Sequence, residues 1–250
     1  MKIIYWCIIF ISFSMLITAQ EKVEKNTAKE NKESKESKEK KDSKDTTEIK
    51  KTKTPETPET VKCGKITYSK SKTSVCFSDH FLGEINSKTS VKTEANFVPV
   101  KLESEEIFDF PFCVISGEDK FTLTEKEKAN LKKYLLNGGF ILASPGCSNP
   151  DWNKSFRQAL DSIFPENKLK KIDMTHPIFS VFYKIDKLTL KNGGTTQIEG
   201  LEIDGRIALI YSMEGLNDVA NAKGCCCCGG NEIIECQQVN INIFLYSMLF

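Results

Sequence analysis

The sequence lacks an excess of charge of either sign. Across its 250 residues, 35 Lys and Arg stand against 34 Asp and Glu, a formal charge of +1. That balance excludes a broad basic surface of the kind that drives nucleic-acid binding. Long apolar runs are confined to the first twenty residues, so no later segment is suited to crossing a bilayer. A Gly-rich phosphate loop, a dinucleotide-binding fingerprint and a His-Glu-x-x-His pair are all missing, which leaves nucleotide and zincin chemistry without support. Internal repeats are absent. Arginine is scarce: of 35 basic residues, only Arg157 and Arg206 are not lysine.

What is present divides the chain in three. Lys2, the apolar stretch from Ile3 to Ile17 and then Thr18-Ala19-Gln20 follow the order of a secretory signal over residues 1–20. Ile17 is larger than such a cleavage site prefers, so an uncleaved signal-anchor is the other reading. Cys7 lies inside the apolar stretch rather than just after it, which argues against a lipoprotein. From Glu21 to Thr60, twelve Lys and eleven acidic residues leave only Val23, Ala28 and Ile49 apolar. Nothing there can offset the entropy of ordering a core, so residues 21–60 are expected to form a disordered charged linker. Residues 61–250 form the remaining unit, long enough for one sizeable core.

Within that unit, apolar runs alternate with helical patterns. Strands are expected around Lys65 to Tyr68, Phe97 to Leu102, Phe110 to Ser116, Phe140 to Ala143 and Ile207 to Tyr211. Thr124 ahead of Glu125, with Glu127 and the apolar set Ala129, Leu131, Tyr134 and Leu135, predicts a capped helix ended by Asn137-Gly138-Gly139. Trp152, Phe156, Leu160, Ile163 and Phe164 predict a second helix returning across the sheet. The last stretch, Glu232 to Phe250, is apolar on most faces and predicts a buried helix, or a helix plus a strand. This alternation implies βαβ units and a mostly parallel sheet.

Several separated motifs occur in a recognisable order. They are Phe110-Pro111-Phe112 through Gly117, Leu131 to Leu135 with Gly138-Gly139-Phe140, Cys147, Phe156-Arg157, Phe164-Pro165, His176-Pro177-Ile178-Phe179, Gly205-Arg206, Tyr211-Ser212, and Asn242 with Tyr246. In this the chain resembles the uncharacterised bacterial family DUF4159, over roughly Val61 to the end. The resemblance implies a fold similar to class I glutamine amidotransferases and ThuA-like proteins, a flavodoxin-like three-layer α/β sandwich. Two positions depart from the family's pattern. Gly117-Glu118 stands where many members have Gly-His, and Ser144-Pro145 where many have paired aspartates. Fold likeness alone assigns no chemistry.

The residues themselves suggest three functions. Cys147 follows an expected central strand, where an α/β sheet can expose a nucleophile, and His176 could serve as its base. The small residues that a nucleophile elbow needs on both sides are missing, and a lone His before Pro more often shapes a turn. Arg157, Arg206 and Glu118 are candidate ligand-binding residues, since a guanidinium offers a planar fork that lysine cannot copy. The competing role for each arginine is an ion pair with a neighbour such as Asp161 or Asp204. Cys225 to Cys228, with Cys236 nearby, puts five thiols within twelve residues. Cys225, Cys228 and Cys236 could hold a soft metal such as zinc, or the thiols could form disulfides or carry redox chemistry. Without Cys7, nine cysteines remain, an odd number that leaves at least one unpaired in an oxidising compartment. The leading expectation is an exported, non-catalytic α/β domain binding an unidentified protein partner or small ligand at the carboxyl ends of its strands. The alternatives are a Cys147-dependent hydrolase or transferase and a thiolate metal-binding protein.

Overall fold

The computed structural model describes residues 60–69, 74, 77–216 and 232–250. The expected leader, nearly all of the linker and the Cys225–Cys228 loop lie outside the described residues. In chain order the described elements are β1 (Cys63–Thr67), α1 (His80–Lys88), β2 (Val98–Lys101), β3 (Phe112–Ile115), α2 (Glu125–Leu136), β4 (Phe140–Ala143), α3 (Pro150–Ile163), β5 (Lys170–Lys171), β6 (Leu188–Thr189), β7 (Thr195–Thr196), β8 (Glu199–Ile203), β9 (Arg206–Tyr211) and α4 (Cys236–Leu249). Short 3-10 turns at Glu105–Asp109, Gly146–Ser148 and Pro177–Phe179 join them.

Seven strands form one sheet in the order β2-β1-β3-β4-β9-β8-β5, and β6 pairs with β7 in a separate ribbon. The first five strands of that order run parallel. Counting β9 as the fifth parallel strand, this is the 2-1-3-4-5 order of flavodoxin-like sheets, whose direction of winding reverses between β1 and β3. The fold class expected from the sequence is therefore the one observed, a three-layer α/β sandwich. An antiparallel extension is added to it: β8 turns back against β9, and β5 against β8.

Strand burial shows why the sheet needs cover on both sides. Every residue of β3 and of β4 is buried, as expected of parallel strands with helices on each face. Cys113, Ile115, Ile141, Ala143, Leu209 and Tyr211 pack toward α2 and α3, among Leu131, Tyr134, Trp152, Phe156 and Leu160. Phe112, Val114, Phe140, Leu142 and Ile210 point the other way, toward α1 and α4, among Phe81, Leu82, Ile85, Ile243 and Phe244. Side chains alternate between faces along a strand, so one set of apolar runs builds both cores.

The helix ends follow local chemistry. Thr124 Oγ1 accepts the Glu127 N–H at 3.2 Å while Glu127 Oε2 accepts the Thr124 N–H at 2.7 Å, a reciprocal box that starts α2. The second carboxylate oxygen of Glu127 accepts the Ser69 N–H at 2.6 Å, which ties the helix to the end of β1. Gly138, at φ 96°, takes the left-handed stop anticipated after α2. Asn149 Oδ1 accepts the N–H groups of Asp151 and Trp152 to start α3, with Pro150 at its first position. The terminal segment is a helix, and Glu232 and Ile233 ahead of it form only isolated bridges. Asn242 on that helix clamps Tyr183 from both sides, accepting its N–H and donating to its carbonyl, each at 2.8 Å.

Candidate ligand-binding site

In a sheet of this order, ligands usually enter beyond the carboxyl ends of the strands, beside the point where the winding reverses. Here that point is filled with aromatic rings. The Tyr68 hydroxyl donates to the Ser116 carbonyl at 3.0 Å, and Trp152 Nε1 donates to the same hydroxyl. Trp152 stacks on Phe156 at 4.7 Å between ring centroids, Phe156 stacks on Tyr211 at 5.4 Å, and Phe121 closes the cluster at 5.6 Å from Trp152. Gly117 is required there: a Cβ on it would lie 2.3 Å from Trp152 Nε1 and 2.4 Å from the Tyr68 hydroxyl. The α2–α3 side of the reversal point is thus packed core.

Space opens one step along the same edge, beside β9. A crevice of about 690 Å³ is lined by Arg157, Glu199, Thr196, Met213 and Glu214, with Lys171, Asp186 and Lys187 among its other walls. Arg157, on α3, is fixed on several sides. Its Nη1 donates to Glu199 Oε1 at 3.3 Å, Nη2 donates to Oε2, and Nε donates to Asn153 Oδ1 at 2.9 Å. The guanidinium lies 4.9 Å from the centre of the Tyr211 ring, and the Tyr211 hydroxyl donates to the same Asn153 oxygen at 2.5 Å. Across the crevice the Thr196 hydroxyl donates to Glu214 Oε2 at 2.8 Å.

Electrostatics reinforce this arrangement. Burial works against the Arg157 charge, but the hydrogen bond and charge of Glu199, with smaller help from Tyr211 and Asp161, hold its pKa above the ordinary value. Burial also raises the Tyr211 hydroxyl well above the usual phenol range, more than the neighbouring guanidinium lowers it, so Tyr211 stays a proton donor at neutral pH. The wall of the crevice is therefore an oriented fork-on-fork ion pair rather than a loose surface contact.

The residues singled out by sequence separate to the two ends of the sheet. Glu118 and Cys147 sit at the carboxyl edge, following β3 and β4; a Cβ on Gly146 would lie 2.6 Å from Glu118 Cγ. Cys147 adopts a left-handed backbone at φ 52°. Arg157 belongs to the same edge, but its carboxylate partner is Glu199 rather than Asp161 or Asp204. Arg206 begins β9 at the amino edge, where its Nη2 donates to the carbonyls of Leu135 and Gly139 at 3.4 and 3.2 Å and closes the C-terminus of α2. His176 is also at the amino edge: its ring is 5.4 Å from that of Tyr246, which lies against Phe140, the first residue of β4. The length of β4 therefore stands between His176 and Cys147, and the fold does not bring the two together as nucleophile and base.

The proposed thiolate site falls mostly outside the described residues. Cys225 and Cys228 are not among them, and Cys236 opens α4. Among the described residues no three His, Cys, Asp or Glu side chains are grouped to hold a metal ion, and no helix is long and apolar enough to cross a membrane. Cys63 and Cys113 are buried in the sheet, and burial, as the largest cause, pushes both thiols up to about 12. They remain protonated and act as core residues.

The sequence did not disclose Glu199, Glu214 and Thr196 on the crevice wall, or Asn153, which holds Arg157. They come from three separate segments, and only the antiparallel turn of β8 against β9 brings Glu199 beside Arg157. Fold and crevice define the class: an α/β sandwich with an open polar cleft at the carboxyl edge of its sheet. Comparison with protein families then places it, since a domain of unknown function, DUF4159, matches residues 62–248, and the chain belongs to that family. Comparison with curated proteins gives no match.

Proposed function

We propose that this chain is an exported, non-catalytic binding domain whose carboxyl-edge crevice takes a small polar ligand. The oriented Arg157 carries the reading. One of only two arginines in the chain is held by Glu199, Asn153 and the Tyr211 ring at the wall of the carboxyl-edge crevice. Charges of both signs, two hydroxyls from Thr195 and Thr196, and the thioethers of Met174 and Met213 also line it. That mixture suits a ligand with several hydrogen-bonding groups rather than a purely apolar one. Export rests on the order of Lys2, the apolar stretch and Thr18-Ala19-Gln20.

Thermal unfolding of the full chain against a panel of small sugars, amino acids and carboxylates tests the crevice. A ligand that fills it raises the Tm of the wild type, and Arg157→Lys loses that rise because lysine keeps the charge but not the fork. If no compound stabilises the wild type, or if those that do act equally on Arg157→Lys, the reading is wrong. N-terminal sequencing of the mature protein tests export, with a start near Gln20 expected and an intact Met1 opposing cleavage.

A further inference from the structure

The amino edge of the sheet has an opening of its own. A crevice of about 420 Å³ is bounded by Lys170, Asp173, His176, Glu202 and Tyr246, with Ile207 at its floor. Two of these, His176 and Tyr246, belong to sequence motifs seventy residues apart, and the fold brings their rings to 5.4 Å.

His176 is half-buried and Tyr246 buried, and each presents a hydrogen-bonding group to the crevice. His176 Nδ1 accepts the Ile178 N–H at 3.2 Å, so in the neutral ring the proton is on Nε2. Burial lowers the His176 pKa, outweighing the opposing pull of Glu202, which favours that neutral form. Nε2–H has no acceptor among the described residues. Tyr246 is only 5% exposed and packs by ring contacts with Phe140, His176 and Phe250, yet its hydroxyl has no hydrogen-bond partner among the described residues. Other buried tyrosines are satisfied: Tyr68 donates to Ser116, Tyr134 to Phe110 and Tyr211 to Asn153. The ring is packed while the hydroxyl opens onto the crevice, where a ligand can reach it.

From this geometry we infer a second binding site at the amino edge, where His176 Nε2–H and the Tyr246 hydroxyl donate to one carboxylate of a zwitterionic ligand such as a short peptide or free amino acid. Lys170 adds a cation to the carboxylate side. Glu202, which a simple anion would meet unfavourably, accepts the ligand's ammonium group. Asp173 is less available, since its Oδ1 already accepts both the N–H and the hydroxyl of Thr175, at 2.8 and 2.7 Å. Lys171 lies on the walls of both crevices, but His176, Tyr246 and Glu202 line only this one and Arg157 only the other.

The test is a titration of the full chain with dialanine, followed by the imidazole nitrogen resonances of His176 and by calorimetry. N-acetyl-dialanine and dialanine amide serve as charge-blocked comparators. Dialanine is expected to shift the His176 Nε2 resonance with saturation, and each blocked form to bind more weakly. Tyr246→Phe keeps every ring contact and removes only the hydroxyl, so it should weaken binding by about tenfold, the usual worth of one hydrogen bond, whereas Arg157→Lys should leave binding unchanged. Absence of any His176 shift, equal binding by all three compounds, or wild-type affinity in Tyr246→Phe would each overturn the proposal. A loss that follows Arg157→Lys instead would place the ligand in the other crevice and overturn it equally.

Discussion

The two edges of this sheet solve the same problem in opposite ways. At the carboxyl edge, where parallel α/β sheets usually leave room for a ligand, Tyr68, Trp152 and Phe121 close the reversal point and pair their own polar atoms. At the amino edge, usually the structural side, His176 and Tyr246 line a crevice with a ring nitrogen and a hydroxyl that have no partner among the described residues. Topology proposes where a ligand can go, and side-chain volume decides. The open part of the carboxyl edge has moved sideways to β9, where the antiparallel pair β8 and β5 widens the sheet.

This contrast can be broken by experiment. The largest effect is expected from Trp152→Ala, which empties the sealed point and should cost about 3–5 kcal/mol in denaturant unfolding, as large aromatic deletions in cores do. A loss below about 1 kcal/mol would show that the aromatic cluster is not the tight plug described. Next, Gly117→Ala pushes a methyl group into Trp152 and Tyr68 and should cost about 1–3 kcal/mol through overpacking; wild-type stability would mean that the two rings can retreat. Smaller still is Arg206→Ala, which removes the cap on the last carbonyls of α2 and should cost about 0.3–1 kcal/mol. No change in the midpoint would make that contact incidental.

The smallest effect concerns pH. The folded protein holds the His176 pKa below its ordinary value of 6.5. The unfolded chain therefore binds this proton more readily, and stability present above 6.5 is lost as pH falls through the lowered value. His176→Gln should flatten that part of the stability-versus-pH curve. An unchanged slope would show that the ring is as well solvated folded as unfolded.

How much of this was legible in the sequence depends on whether the signal was local. The capping box of α2, its Asn137-Gly138 stop, and the fully apolar strands β3 and β4 were readable because each rests on neighbouring residues. Neither β5 nor β7 was anticipated: Lys170–Lys171 and Thr195–Thr196 are two residues each, without apolar alternation, and exist only because β8 and β6 supply partners. The partner of Arg157 is hidden for the same reason, since Glu199 lies 42 residues away while Asp161 stands one helical turn along. Conversely, Asn242 and Tyr246 were noticed only through a family resemblance. The structure shows two distinct duties, one holding the backbone of Tyr183 and the other facing a crevice.

Trp152 gives the fold its own optical reporter. The chain has two tryptophans, and the other, Trp6, lies in the segment read as a leader. In a mature chain without that segment, all indole emission would come from a ring that is fully buried, hydrogen-bonded to Tyr68 and stacked on Phe156. Such a fluorophore reads the packing of the sheet's reversal point directly, and so do the near-ultraviolet dichroic bands of the coupled rings Trp152, Phe156 and Tyr211. Loss of this signal ahead of helical ellipticity would date the opening of the carboxyl edge relative to the unfolding of the whole.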